Sequence, residues 1–122
     1  MKKKTFLIIN SDLKKQHLQI IISDPDPEKN IMVVNLTTLR NNGREDTACV
    51  LGIDEHKFIK QGSYIAYHYA TEINQLKLLN DKLSGRVEFK DDISDPVLKK
   101  IQDGAKKSSF LQPYYKKFFR YF

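Results

Sequence analysis

Short runs of β-branched and aromatic residues recur about every ten positions through the first seventy residues, and each is cut off by turn chemistry. Runs of that length suit strands and are too brief for ordinary helices. Thr5–Ile9 ends at Asn10-Ser11-Asp12. Leu18–Ile22 stops at Ser23-Asp24-Pro25-Asp26-Pro27, where two prolines remove backbone donors and hold the residues before them extended. Ile31–Thr37 opens with four apolar residues in a row, which marks a strand buried on both faces. After the Asn41-Asn42-Gly43 turn, Ala48–Leu51 is a fourth strand. Ser63–Tyr69 is a fifth, with Tyr64, Ala66 and His68 on one face and Tyr67 and Tyr69 on the other. Five such strands predict a small barrel or sandwich.

The remaining residues change character. Ile73, Leu76, Leu79 and Leu83 are spaced as one apolar helix face within Glu72–Leu83, with Gly85 placed to end that helix. Arg86–Phe89 reads as a short strand. Ser94 or Asp95 followed by Pro96 is a helix start, and Val97, Leu98, Ile101 and Ala105 form its apolar face, with Gly104 weakening its end. Pro113 opens a last helix expected over Tyr114–Phe122. Seven of the 13 aromatic residues fall in the last 13 positions. At α-helical spacing, Tyr114/Phe118/Phe122 and Tyr115/Phe119 make a wide stripe. Packing of that stripe on the barrel or on a second protomer is the leading expectation. Base stacking and membrane-surface binding are the alternatives.

Charge is divided along the chain. Residues 1–15 carry five lysines against one aspartate, and residues 99–122 carry seven bases against Asp103. Between them, nine bases face thirteen acids, so the +6 of the whole chain belongs to its ends. No uninterrupted apolar stretch exceeds four residues, which excludes a membrane-spanning helix. The four apolar residues after the N-terminal lysines are too few for an export signal, so a cytoplasmic protein is expected. Cys49 is the only cysteine, and no two of His17, His56 and His68 share ligand spacing. No metal site and no cofactor are expected.

Two segments place polar groups beside strong strands. Asn35-Leu36-Thr37-Thr38-Leu39-Arg40 ends a strand in two hydroxyls and a guanidinium, although β propensity and turn capping account for the threonines equally well. Asp54-Glu55-His56-Lys57-Phe58-Ile59 sets an imidazole before apolar residues. An exposed loop histidine paired with Asp54 or Glu55 is the plain reading of His56.

The order and spacing of the strands resemble the MazF/PemK-type toxins. In that family a strand opened by an Arg-Pro pair ends in Ser, and the next ends in a hydrophobic residue followed by Thr and Ser or Thr. This chain has His17-Leu18-Gln19-Ile20-Ile21-Ile22-Ser23 and Val33-Val34-Asn35-Leu36-Thr37-Thr38, with His17-Leu18 where the Arg-Pro pair would stand. The acidic-His-x-Phe-Ile segment followed by Ser-Tyr-x-x-Tyr, from Asp54 to Tyr67, is also similar to a bacterial group of PemK-like proteins. The likeness covers about residues 4–70.

The resemblance implies a mainly β, α+β fold: an SH3-like β-barrel of about five strands followed by two or three C-terminal helices. The barrel would occupy residues 1–90, with a helix around 72–83, and residues 91–122 would be a helical segment packed on it or on a partner protomer. It also implies a toxin that cleaves single-stranded RNA without metal. The ribose 2′-OH attacks the adjacent phosphate, which needs proton transfer and stabilisation of charge on phosphorus. On this view His17, Thr37, Thr38 and Arg40 are catalytic, and His56, Tyr64 and Tyr67 bind substrate. An imidazole can move protons near neutral pH but lacks the bidentate phosphate grip of a guanidinium, which Arg40 would supply. A cognate antitoxin and a second copy of the chain are the implied partners. The alternative is a non-catalytic barrel that binds a protein or nucleic acid.

Overall fold

The apolar runs set the strands, and one of them organises all the others. The computed structural model describes residues 1–9 and 16–122, so the turn expected at Asn10-Ser11-Asp12 lies outside the described residues. The strands are β1 (Thr5–Ile8), β2 (Gln19–Ile21), β3 (Asn30–Thr38), β4 (Val50–Leu51), β5 (Ser63–Ile65), β6 (Thr71–Asn74) and β7 (Val87–Lys90). Among the described residues there are also two α-helices, α1 (Gln75–Leu83) and α2 (Asp95–Lys107), and two 3₁₀ segments, Tyr67–Tyr69 and Pro113–Tyr121. The fold is α+β, and every strand pairing is antiparallel.

β3 is the longest strand and holds three neighbours. β2 lies along one edge, with Ile20 opposite Val34. The other edge is shared: Asn30–Val33 pair with β6 and Leu36–Thr38 with β5. The 3₁₀ turn at Tyr67–Tyr69 carries the chain from β5 to β6, and Ala66 N–H spans the gap to Asn35 O at 3.1 Å. The path runs β4-β5-β3-β2-β1-β7, an open sheet rather than the closed barrel expected.

Alternation along β3 divides the interior. Met32, Val34 and Leu36 enter the main core with Ile20, Ile22, Val97, Ile101 and Phe118, whereas Ile31 and Val33 join a smaller cluster with Phe6, Leu78 and Val87. Residues 31–34 are all buried, so this strand is covered on both faces. The main core lies under α2 and the C-terminal segment, and the smaller one under α1.

Several elements differ from the sequence expectations. The expected fifth strand stops at Ile65, because Tyr67 turns inward and its hydroxyl donates to Ile101 O at 2.6 Å. The expected helix at Glu72 begins only at Gln75, since Thr71–Asn74 is taken up by pairing with β3 and Asn74 caps the helix, accepting from Leu76 N–H at 3.0 Å. That register turns Leu78 inward and leaves Leu76, Leu79 and Leu83 exposed.

Ser94 caps α2 as expected, accepting from Val97 N–H. Gly104 stands within that helix, which runs on to Lys107. It is buried where a Cβ would overlap the Tyr67 hydroxyl and lie 2.9 Å from Cys49 Cβ. The last segment is a 3₁₀ helix rather than an α-helix, so residues three apart align. Tyr115, Phe118 and Tyr121 follow one line and Phe119 and Phe122 another, all against the main core. Among the described residues no helix is long and apolar enough to cross a membrane.

Candidate functional site

The end of β3 and the residues just before β2 meet because the two strands pair. Leu36 N–H donates to Leu18 O at 2.9 Å, and this bond seats His17 beside Leu36. His17 Nδ1 lies 3.2 Å from Leu36 O. A carbonyl oxygen only accepts, so Nδ1 carries the proton in this contact and Nε2 is the nitrogen available as a base. Thr37 and Thr38 follow on β3, opposite Tyr64 and Ser63. Thr37 Oγ1 donates to Asn35 Oδ1 at 3.0 Å.

Arg40 lies just past the strand. Its backbone N–H is held by Glu45 Oε2 at 2.6 Å, and the other carboxylate oxygen takes Asn42 N–H at 3.2 Å. The loop therefore closes on Glu45, with Asn41 and Gly43 both at positive φ.

Together these residues form the walls of a cleft of about 410 Å³, lined by His17, Thr37, Thr38 and Arg40 and also by Phe58 and Lys60. Its volume is within the range of small-molecule sites. A second cleft of about 280 Å³ adjoins it and shares Phe58 and Lys60. His56 lines this second cleft. Its imidazole is used structurally: Nε2–H donates to Asp91 O at 2.6 Å, and Nδ1 accepts from Phe58 N–H at 3.0 Å. It pairs with neither Asp54 nor Glu55.

The two expected substrate-binding tyrosines separate. Tyr64 is half-buried on β5 across from Thr37, beside the cleft rather than in its wall. Burial, together with the Glu45 charge, raises its hydroxyl above the usual range, so it stays protonated. Tyr67 is fully buried. Its assignment to substrate is therefore corrected: both ring faces are in the core and the hydroxyl is spent on Ile101. Burial also pushes the Cys49 thiol up to about 11, and its side chain belongs to the main core.

Phe58, Lys60, Gln61 and Ser63 also line the cleft, and the sequence alone assigns none of them to a site. Phe58 was visible as an aromatic residue inside a charged loop, but nothing local shows that this loop faces the end of β3. A third and larger cavity, about 510 Å³, lies between α1 and strands β1, β6 and β7. It is mainly apolar, and its charged groups are paired: Asp81 with Lys77 at 2.9 Å and Arg86 at 3.4 Å, and Glu72 with Lys117 of the C-terminal segment at 2.6 Å. The first cleft is therefore the candidate site. Among the described residues no three His, Cys, Asp or Glu side chains gather as metal ligands would. Comparison with known protein families, characterised proteins and solved structures returned no match.

Proposed function

We propose that this chain is a MazF/PemK-like protein, its antiparallel sheet standing in for that family's SH3-like barrel, and that it cleaves single-stranded RNA in the cytoplasm. One observation carries the reading: His17, Thr37, Thr38 and Arg40 come from two separate stretches of sequence and line one cleft. In this mechanism His17 Nε2 takes the proton of a ribose 2′-OH. The oxygen then bonds to the adjacent phosphorus, and the bond from phosphorus to the 5′-oxygen breaks. The leaving oxygen takes a proton from solvent, and the products are a 2′,3′-cyclic phosphate and a 5′-hydroxyl. Arg40 and Lys60 hold the phosphate oxygens as charge builds on them, and the threonine hydroxyls orient the ribose.

A protein inhibitor of the antitoxin type and a second copy of the chain are the partners that go with this reading. Of the aromatic C-terminus, Phe118 is covered by the chain's own core, whereas Phe110 and Tyr114 are exposed.

Incubation with a long RNA in EDTA tests the reading. Discrete fragments ending in cyclic phosphate are expected, and His17→Ala should slow their appearance at least about 100-fold, a general-base contribution. Because His17 is exposed, that variant should keep its thermal midpoint. Intact RNA with a mobility shift would favour a binding module that does not cut, and an unaltered rate in His17→Ala would exclude the mechanism.

A further inference from the structure

The two adjoining clefts share a wall, and that wall is held rigidly. Phe58 is half-buried against the main core and lines both clefts. Its backbone N–H is fixed by His56, whose other ring nitrogen is tied to Asp91 O, and Ile59 N–H closes the same turn on His56 O at 3.1 Å. Upstream, the Glu55 carboxylate takes Gly52 N–H at 2.8 Å and Lys100 Nζ at 3.3 Å.

Charge along the two clefts is one-sided. Arg40, Lys57, Lys60 and Lys90 line them against a single carboxylate, Asp91. Lys57 pairs with Asp91 at 3.1 Å and Lys90 with Glu88 at 2.9 Å, but all four side chains are at least about one-third exposed, and such pairs give way readily to another anion. Lys60 is exposed, and no described carboxylate pairs with it. A flat aromatic ring with cations on both sides matches a ligand that alternates π faces with negative charge. A free phosphate would satisfy the lysines but leave Phe58 and the buried Leu7 of the second cleft unmatched.

We propose that the two clefts are one groove for a single-stranded polynucleotide, in which an unpaired base stacks on Phe58 while Arg40 and Lys60 hold phosphate on one side and Lys90 on the other. This rests on the reading of the first cleft as an RNA site and extends it to a second nucleotide position. His56 is then a positioning residue that fixes the stacking platform.

The probe is a fluorescein-labelled eight-nucleotide 2′-O-methyl RNA, which lacks the free 2′-OH that cleavage needs, with binding read by anisotropy. Wild type should bind it. Phe58→Leu, which keeps apolar bulk but has no π face, and Phe58→Ala should each weaken binding about tenfold or more, while Phe58→Trp retains it. Lys90→Ala should lower the slope of log affinity against log salt by about one. Circular dichroism of each variant confirms that the fold is kept.

Wild-type affinity in Phe58→Leu, equal affinity for a duplex of the same sequence, or no binding by wild type would each overturn the groove. The two proposals fail separately. Phe58-dependent binding with long RNA left intact removes catalysis and keeps the groove, whereas cleavage at an unchanged rate by Phe58→Leu removes the groove and keeps catalysis.

Discussion

Gly104 shows how one residue can be read in opposite ways. In a helix, glycine costs about 1 kcal/mol relative to alanine, so the sequence alone predicts that Gly104→Ala would stabilise α2. In the fold, the added methyl meets the Tyr67 hydroxyl, Cys49 Cβ and the Ala48 carbonyl, the last at 3.0 Å. Two of these neighbours cannot yield cheaply, because Tyr67 is anchored on Ile101 and Ala48 O is backbone. Overpacking of this kind costs about 1–3 kcal/mol, which outweighs the propensity gain. Urea unfolding of Gly104→Ala should therefore give a lower midpoint than wild type; a higher one would mean that α2 can slide away from the sheet. At the site the contrast runs the other way. The residue types of His17, Thr37, Thr38 and Arg40 were legible because a base, hydroxyls and a guanidinium stand beside strong strands. The buried position of Tyr67 was not, since Ser63–Tyr69 alternates as well as any strand and only the inward bond to Ile101 breaks that alternation.

At the scale of elements, α1 separates local pattern from tertiary choice. Ile73, Leu76, Leu79 and Leu83 carry the spacing of an inward face, yet Ile73 pairs with Ile31 as part of β6, and Leu83 is 85% exposed. Leu78, off that stripe, is the buried residue. Leu78→Ala should cost about 2–5 kcal/mol, as for other fully buried leucines. Leu83→Ala should stay within about 0.5 kcal/mol. Thermal or urea unfolding of the pair checks this directly, and the reverse order would restore the face read from sequence. The C-terminal segment gives the same lesson through pitch. Its aromatic content marks it as an apolar surface, but whether residues three or four apart align depends on the helix type. The 3₁₀ pitch aligns Phe119 with Phe122, whose ring centroids are 5.2 Å apart. Two end signals hold: Ser94 caps α2, and Gly85 follows α1 with a φ of 80°, a conformation that favours glycine.

For the whole molecule, shifted ionisable groups give stability a pH dependence at both ends. Asp81 is held below the usual carboxylate range by its bonds to Lys77 and then Arg86, and Asp95 by Lys3. A group with a lowered folded pKa stabilises the fold above its unfolded value and loses that contribution as pH falls through the folded one. Stability should therefore begin to fall near pH 4 and continue below it. The opposite sign applies at alkaline pH. Burial raises Cys49 from 9.0 to about 11 and raises Tyr67 further, so their contribution is present below the unfolded values and is lost as pH climbs from about 9. Thermal midpoints measured across pH should show both limbs, and a flat profile from pH 8 to 11 would contradict the burial of the thiol. The sequence by itself determined where the strands other than β6 begin, the start of α2, the basic ends around an acidic body and the residue types of the cleft, because periodicity, caps and charge are local quantities. Only the tertiary structure decided which face of α1 is buried, that Gly104 is packed closely against Tyr67 and Cys49, and that Phe58 and Lys60 line one cleft with His17 and Arg40. Those outcomes depend on β3 pairing with partners from both sides of it in sequence, and long-range pairing is fixed by the packing of the whole chain rather than by any one stretch of it.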